Sequence, residues 1–391
     1  MKNTITYDQR FSVDFNYPVC FTENVFSPDA LLLADTIDRY KENRIHKVAV
    51  YVDENVLRAH PLLDQNIREY FQSHADKLQL ADGPVQIPGG EQAKQGWDRV
   101  KNIMSSLGNR HLCRQSFVLV IGGGSVLDMV GFAVSLVHRG LRLIRMPTTV
   151  LAQNDAGVGV KNAMNEHGMK NFVGTFAPPF AVINDYTFLT TLEDRDWTGG
   201  IAEAFKVAII KDREFFDFLC TNADKLRNRV MSAMKELIRR CAELHLDHIR
   251  TNGDPFEFGA ARPLDFGHWS AHRLESMSGY RLGHGQAVSI GIALDAYYAM
   301  KTGFITELDL NRILNAMTRC GLPVWDHLLE YTENGNLTIL KGLDEFREHL
   351  GGLLTITLPQ GIGAKQEIHE MDRSIIADAV TFLRDISIAA S

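Results

Sequence analysis

The chain has 391 residues, of which 45% are hydrophobic and 23% charged, and its formal net charge is -7. This length can bury the cores of two domains, and the composition excludes a fibrous or intrinsically disordered protein. The acidic balance, without any run of Lys and Arg, argues against nucleic-acid binding and against a polybasic membrane patch. Five widely spaced cysteines without a C-x-x-C pair disfavour a disulfide framework and a thiolate metal cage. We therefore expect a cytoplasmic protein that acts on small molecules, without a signal peptide or membrane span.

The first half of the chain alternates short β-rich runs with helical patterns. Residues 62–78 and 92–107 have helical spacing of their apolar residues. Four strands are predicted, at residues 46–53, 116–121, 143–146 and 181–185. This alternation is typical of a doubly wound parallel sheet with helices on its faces, and we assign residues 1–190 to a Rossmann-like α/β domain that binds NAD.

The second half is predicted to be mainly α-helical. From Gly199 onward, apolar residues recur at steps of three and four through segments such as residues 230–249 and 306–320. One strand-like run, residues 353–358, precedes a terminal helical pattern at residues 374–388. We assign residues 191–391 to a helical domain that binds metal and substrate. Since no repeat or long linker separates the halves, they should pack around a shared cleft.

A glycine triplet followed by serine, residues 122–125, comes after a predicted strand and begins the next helix. Backbone N–H groups and the positive end of that helix would converge on one point, which suits a pyrophosphate. A tight strand-to-helix turn needs glycine in any case, so the triplet alone is a weak signal. Asp53 closes an early strand, where a carboxylate can accept both ribose hydroxyls, and Glu91 and Lys94 lie at a helix start. Because the G-x-G-x-x-G fingerprint is missing, a dinucleotide would bind through another variant of the fold.

Three histidines and a glutamate in the second half form a potential metal shell. Glu203 and Lys206 share one face of an apolar helical pattern, where a simple ion pair would also explain them. His268 and His272 share a face of another predicted helix, and His284 precedes a third. Lone histidines on apolar faces are usually core residues. Together, however, two imidazoles and a carboxylate with an open position match a catalytic zinc shell, although the spacing does not choose between His268 and His272.

A cluster of cationic and amide side chains occurs in glycine-rich loops at the ends of predicted strands. Its members are Arg139, Lys161, Lys170 and Asn171. Each of them alone is explained by a solvated surface position. Together they could supply charge-assisted hydrogen bonds to a phosphorylated ligand.

The sequence from residue 122 to residue 206 resembles the 3-dehydroquinate synthase family. The segments GGGSVLDMVGFAVSLVHRG, MPTTVLAQNDAGVGVK and KNFVGTFAPP are similar to the family patterns GGGxxxDxxGFxAxxxxRG, PTTLLAxxDxxxGxK and KNxxGxFxxP. The resemblance implies a sugar phosphate cyclase that uses NAD transiently together with a divalent metal, zinc or cobalt. Such an enzyme oxidises a ring alcohol of a heptulose 7-phosphate, eliminates phosphate, reduces the ketone again and lets the opened product close by aldol attack.

The resemblance also implies a role for individual residues. The cofactor would be bound by Asp53, Glu91, Lys94, Gly122, Gly123, Gly124, Ser125, Asp128, Thr148, Thr149 and Lys170. The metal ligands would be Glu203, His268 and His284, with His272 as a non-ligand beside the phosphate. The other catalytic residues would be Asp155 and Lys206, which position alcohols and relay protons, and Lys161, Asn171 and Arg139, which bind the phosphate-bearing substrate. Since the family is commonly dimeric, Arg139 would reach the site of a neighbouring subunit of a homodimer.

Three departures from the family pattern concern the region that binds the substrate carboxylate. The family's LNFGH becomes LDFGH, so Asp265 replaces an amide; the expected lysine is missing; and the late D-K-K signature is absent. Residues that come nearest to the missing groups are His245, His248, Arg262, Arg347 and His349. Losing a cation and gaining an anion disfavours a substrate carboxylate.

Two substrates and one other reaction therefore stay open. The sugar is either 3-deoxy-arabino-heptulosonate 7-phosphate, giving 3-dehydroquinate, or sedoheptulose 7-phosphate, giving a valiolone-like cyclitol. The family resemblance favours the first, and the substituted residues favour the second. A metal-dependent polyol dehydrogenase of the glycerol dehydrogenase type shares the two-part plan and a Gly-Gly-Gly-Ser loop, but it does not require the phosphate-binding cluster.

Overall fold

The computed structural model describes residues 5–167, 169–251, 254–256, 264–349 and 352–390. Two candidates for the substrate end, Arg262 and the side chain of His349, lie outside the described part. The strands are β1 (Val19–Thr22), β2 (His46–Asp53), β3 (Leu78–Leu80), β4 (Val85–Ile87), β5 (Phe117–Gly122), β6 (Arg142–Pro147), β7 (Lys161–Glu166), β8 (Met169–Phe176), β9 (Ala181–Asp185), β10 (Thr332–Glu333), β11 (Asn336–Leu337), β12 (Ile356–Pro359) and β13 (Lys365–Ile368).

The first half is built on a seven-stranded parallel sheet. Its strands lie in the order β1-β9-β6-β5-β2-β3, and β4 also pairs with β2. Strand β5 is buried at every residue, as expected of a strand covered by helices on both faces. Along β2, Val50 contributes to one apolar layer and Tyr51 to the layer on the opposite face. The predicted doubly wound α/β fold is confirmed.

The helices are α1 (Leu32–Ile37), α2 (Glu54–Ala59), α3 (Leu63–Ser73), α4 (Trp97–Asn109), α5 (Gly124–Leu136), α6 (Asp194–Lys211), α7 (Arg213–Arg227), α8 (Met231–Thr251), α9 (His268–Met277), α10 (His284–Lys301), α11 (Glu307–Arg319), α12 (Lys341–His349) and α13 (Arg373–Ala390). From α6 onward the described chain is mainly helical, with its largest apolar core around α6 and α10. Among the described residues, no helix combines the length and apolarity of a membrane span. The change from sheet to helices falls between Asp185 and Asp194, and the division into two domains at residue 190 stays a prediction.

Helices α6 and α10 touch backbone to backbone at a pair of glycines. A Cβ atom on Gly285 would lie 2.1 Å from the carbonyl oxygen of Gly199, which leaves no room for any other residue. Both helices are buried along most of their length, so their spacing is fixed by the surrounding core. This contact brings the side chains of α6 and the start of α10 close together.

Candidate active site

A cavity of about 620 Å³ lies between the sheet half and the helical half. One wall lies at the C-terminal ends of β2, β5 and β6, and includes Asp53, Gly123 and Thr148. The opposite wall includes Tyr280 and His284, which lie around the start of α10. Ligands of doubly wound proteins bind at the carboxyl ends of the parallel strands, which is where this cavity opens.

The turn from β5 to α5 has the shape of an anion site. A Cβ atom on Gly122 would lie 2.8 Å from a Val126 side-chain atom and 3.2 Å from the Cβ of Asp53, so the turn is closed tightly. The N-terminus of α5 follows, and Gly123, Gly124 and Ser125 line the cavity there. Free N–H groups at the start of a helix attract phosphate groups.

Asp53 and Thr149 line the cavity on either side of this turn. The Asp53 side chain is 6% exposed and accepts a hydrogen bond of 2.8 Å from the backbone N–H of Asn55, which caps α2. Burial raises the pKa of Asp53, while that hydrogen bond opposes the increase. A hydroxyl group of a ribose could donate a further hydrogen bond and so stabilise the ionised carboxylate of Asp53.

Two polar pairs connect four more of the residues predicted to bind the cofactor. Glu91 accepts a hydrogen bond of 2.8 Å from Ser125. Lys94 is 3% exposed and pairs with Asp128 at 2.7 Å. Lys94 also donates to the side chain of Asn171 on β8, so that amide lies with the predicted cofactor residues.

Glu203, His268 and His284 converge on one point beside the cavity. One ligand atom of each residue lies within 4.8 Å of the ligand atoms of the other two. The Nε2 atoms of His284 and His268 lie 3.2 Å and 3.8 Å from Oε1 of Glu203. Glu203 belongs to α6, while the histidines are the first residues of α10 and α9. The predicted set is thus brought together by three helices.

The other ring nitrogen of each histidine is already occupied. His268 donates from Nδ1 to the carbonyl oxygen of Phe266 at 3.1 Å, and His284 donates from Nδ1 to Glu275 at 3.1 Å. Each Nε2 atom is therefore the one turned toward Glu203. Such an arrangement, with an oxygen acceptor behind each imidazole, is usual for metal-binding histidines.

The Glu203 carboxylate fits a bound cation. It is 1% exposed, and although Nζ of Lys206 lies 2.6 Å from Oε2, neither oxygen accepts a hydrogen bond of good geometry within the described part of the chain. Burial raises the pKa of Glu203, but Lys206, His284 and His268 together outweigh burial and lower the pKa to about 2. An ionised and poorly satisfied carboxylate beside two imidazoles is suited to a divalent metal.

Lys206 joins the metal set to Asp155. Its Nζ atom lies 2.6 Å from Glu203 and 3.7 Å from Asp155, which belongs to a short π-helical segment, Ala152–Ala156. Burial alone would lower the pKa of Lys206, but the two carboxylates raise it above its usual value. The pKa of Asp155 is lowered despite burial, mainly by Lys206 and His245. All three groups are therefore charged at neutral pH.

His272 lies next to the metal set without joining it. Its ring centre is 5.5 Å from that of His268 and 6.2 Å from that of His284. Burial and the neighbouring charge of His268 lower its pKa well below the usual value, so the ring is neutral at pH 7. The geometry therefore separates His268 from His272, which the sequence spacing did not.

Two residues of the site were not predicted to act there. His245, considered only as a stand-in for the missing lysine, contacts Asp155 through Nδ1 at 2.8 Å. Glu275 bridges His284 and Lys170, and the 2.6 Å contact of Lys170 Nζ with Glu275 draws this lysine toward the metal ligands. Glu275 follows His268 by seven residues and so shares its helix face, a signal that the sequence does contain.

Two members of the predicted phosphate-binding cluster are exposed. Lys161 lies at the start of β7, and Arg139 follows the C-terminus of α5 with a left-handed φ of 66°. Because α5 is thirteen residues long, Arg139 lies about 20 Å from the N-terminal turn that lines the cavity. Within one chain, Arg139 is therefore not part of this site.

Two protein-family models match adjacent parts of the chain. The models of the N-terminal and the C-terminal parts of 3-dehydroquinate synthase match residues 84–199 and 200–339. The chain belongs to the 3-dehydroquinate synthase family. It is 35% identical over 335 residues to the 3-dehydroquinate synthase of Aliivibrio fischeri (strain MJ11), covering 85% of this chain and 89% of that protein.

Solved structures extend the family comparison. The 2-epi-5-epi-valiolone synthase ValA from Streptomyces hygroscopicus subsp. jinggangensis 5008, solved with NAD+ and Zn2+ bound, superposes with a TM-score of 0.85 at 27% identity and covers 97% of this chain and 99% of its own. A 2-deoxy-scyllo-inosose synthase in complex with carbaglucose-6-phosphate, NAD+ and Co2+ gives a TM-score of 0.73 at 18% identity, covering 93% of this chain and 95% of its own, which shows the shared fold. This 3-dehydroquinate synthase family member is thus an enzyme with the fold of the sugar phosphate cyclases.

Proposed function

We propose that the chain cyclises sedoheptulose 7-phosphate with loss of phosphate, giving a valiolone-like cyclitol. The reaction would use NAD transiently and a divalent metal, zinc or cobalt. The observation that carries the choice of sugar is Asp265, a carboxylate close enough that its charge raises the pKa of Lys206 and opposes the lowering of the His268 pKa by burial. Family membership supports the reaction class, and the likeness to a valiolone synthase supports the same sugar.

The residues of the chain suit both cofactors. Glu203, His268 and His284 would hold the metal, and the turn from β5 to α5, together with Asp53, would hold NAD. A metal bound there would polarise a substrate alcohol and lower its pKa, and NAD would accept a hydride and return it.

The chain's own side chains would orient the sugar and handle its protons. The Lys206 ammonium can donate hydrogen bonds to a substrate alcohol while Glu203 and Asp155 hold it charged. Asp155 keeps His245 oriented through Nδ1, which leaves Nε2 to bind a hydroxyl. The neutral imidazole of His272 can donate a ring N–H hydrogen bond to a phosphate beside the metal set.

The charges around Asp265 favour an uncharged substrate end. Glu203, Asp155 and Asp265 place three carboxylates near the single ammonium of Lys206. The nearby Lys170 is paired with Glu275. A further carboxylate on the substrate would be repelled, whereas a hydroxymethyl group would not be.

A second candidate substrate is 3-deoxy-arabino-heptulosonate 7-phosphate, which would give 3-dehydroquinate. The identity of 35% to a 3-dehydroquinate synthase over 85% of this chain favours it. A polyol dehydrogenase is a weaker candidate, because the chain belongs to the cyclase family. Net accumulation of NADH from a simple alcohol would distinguish it from both cyclases.

The decisive assay measures phosphate release from each of the two sugars with NAD and either Zn2+ or Co2+. We expect release from sedoheptulose 7-phosphate, without net NADH. An Asp265→Asn variant removes the local anion and restores the family's amide, so kcat/KM for the carboxylate-bearing sugar should rise by about tenfold relative to the other sugar. Release from the carboxylate-bearing sugar alone by the unaltered chain would contradict the proposed substrate.

A further inference from the structure

Asp295 is buried in the helical half and accepts hydrogen bonds from the two residues that flank a predicted metal ligand in the chain. It lies on α10 and is 0% exposed. One carboxylate oxygen accepts a hydrogen bond of 2.9 Å from the backbone N–H of Gly267, and the other accepts one of 2.8 Å from the indole N–H of Trp269. The residue between these two donors is His268.

The position of His268 depends on where α9 begins. His268 is the first residue of α9, and Gly267 before it has a left-handed φ of 79°. A Cβ atom on Gly267 would lie 2.8 Å from the backbone nitrogen of Ile292, so this turn is pressed against α10. The carboxylate of Asp295 thus lies at the N-terminus of α9, where negative charge is favoured by the helix dipole.

Asp295 and His284 belong to the same face of α10. They are eleven residues apart, which is about three turns with a remaining offset of about 20°. One rigid helix therefore carries a metal ligand at its start and, further along, the anchor of the turn that presents a second ligand.

We propose that Asp295 is a positioning residue for the metal centre: it fixes the start of α9 and so holds Nε2 of His268 at its distance from Glu203 and His284. This inference rests on the proposed metal site. Asp295 is not one of the three predicted ligands and does not line the cavity. Its effect should therefore appear as metal affinity and metal geometry, without any need for turnover.

The test is a titration of the full chain with Co2+ alone, followed by the visible ligand-field spectrum of the bound ion. In an Asp295→Asn variant, the amide N–H group must face either the Gly267 N–H or the Trp269 N–H. Two donors then face each other, so we expect the start of α9 to shift. We expect affinity for Co2+ to fall by about 10- to 100-fold, as for other groups that orient metal ligands, with a changed spectrum.

Removing one of the two donors should rescue the site. In an Asp295→Asn/Trp269→Phe variant, the amide oxygen can face Gly267 and its N–H group meets no donor. We expect Co2+ affinity above that of Asp295→Asn alone. If the loss were due only to a weaker core, the double variant would bind less tightly than the single variant, and this result would overturn the proposal.

The matched control is Asp185→Asn in the sheet half. Asp185 is 2% exposed and accepts hydrogen bonds from the backbone N–H groups of Asn24, Val25 and Thr187, so the same substitution creates the same kind of conflict there. Its Co2+ affinity should equal that of the unaltered chain. Equal losses in Asp185→Asn and Asp295→Asn, or an unchanged Asp295→Asn, would overturn the role of Asp295. Failure of the unaltered chain to bind Co2+ would instead overturn the metal site itself.

Discussion

At the scale of single residues, the chemistry of the site depends on which imidazole meets Glu203. His268 and His272 are one helical turn apart, and a sequence pattern treats them alike. In the folded chain, Nε2 of His268 lies 3.8 Å from Glu203, whereas His272 belongs to none of the described ligand sets. The difference arises from the start of α9, a tertiary feature that spacing does not contain.

The two histidines should respond differently to substitution. In His268→Ala the metal loses a ligand, so phosphate release should fall by about 100-fold or more, since the metal's stabilisation of developing charge is worth several kcal/mol. In His272→Ala activity should fall while the bound metal stays. Metal content of dialysed protein and phosphate release check both outcomes. A His272→Ala protein that loses its metal while His268→Ala keeps it would reverse the assignment.

Sequence reasoning worked best where chemistry and local pattern coincide. The glycine turn and Asp53 could be predicted because each lies at the end of a strand. For Glu203, His268 and His284, the residue types indicated a metal site, and the family resemblance supplied the choice between His268 and His272. The ion-pair partners could not be predicted from the sequence. His245 contacts Asp155, and Lys170 contacts Glu275, although the two residues of each pair are distant in the chain. Contacts of this kind are decided by the packing of helices, for which a single sequence carries little signal.

At the scale of secondary structure elements, α6 and α10 determine the distance between two predicted ligands. Glu203 follows Gly199 by about one helical turn, and His284 precedes Gly285 directly. Because the backbones touch at these glycines, the carboxylate and the imidazole lie close enough to share an ion. The contact between Gly199 and Gly285 was not predicted from the sequence, because it depends on how the two helices pack.

A methyl group at this contact should separate the helices. Gly285→Ala places a Cβ atom 2.1 Å from a backbone carbonyl, so we expect a loss of about 1–3 kcal/mol in the free energy of unfolding and weaker Zn2+ binding. Gly283→Ala is the control, because the atoms nearest to its Cβ would belong to the side chains of Arg195 and Gln286, which can move. Chemical denaturation and Zn2+ titration measure both effects. Equal behaviour of the two variants would refute the role of the contact.

At the scale of the whole molecule, the two halves contribute to one cavity. The sheet supplies the turn from β5 to α5, and the helical half supplies the metal set. The overall class of fold was predictable because parallel strands and amphipathic helices differ in period. Within one chain, Arg139 lies far from the cavity. A homodimer in which Arg139 contributes to the active site of the partner subunit stays a prediction.

Mixing two inactive variants tests that prediction. Arg139→Ala and His268→Ala should each lack activity as pure proteins. If the arginine acts across subunits, unfolding and refolding them together creates mixed dimers with one complete site, so activity should return to about a quarter of the unaltered level. A mixture as inactive as its components, from proteins shown by light scattering to be dimeric, would mean that Arg139 does not act in trans.

The occupied Nδ1 atoms of His268 and His284 have a consequence for how an ion enters. Neither ring has to rotate, because each hydrogen bond to Phe266 or Glu275 already selects the orientation that a loaded centre needs. Uptake should therefore be a single bimolecular step without a slow rearrangement. Differences in affinity among divalent ions would then arise mainly from their dissociation rates.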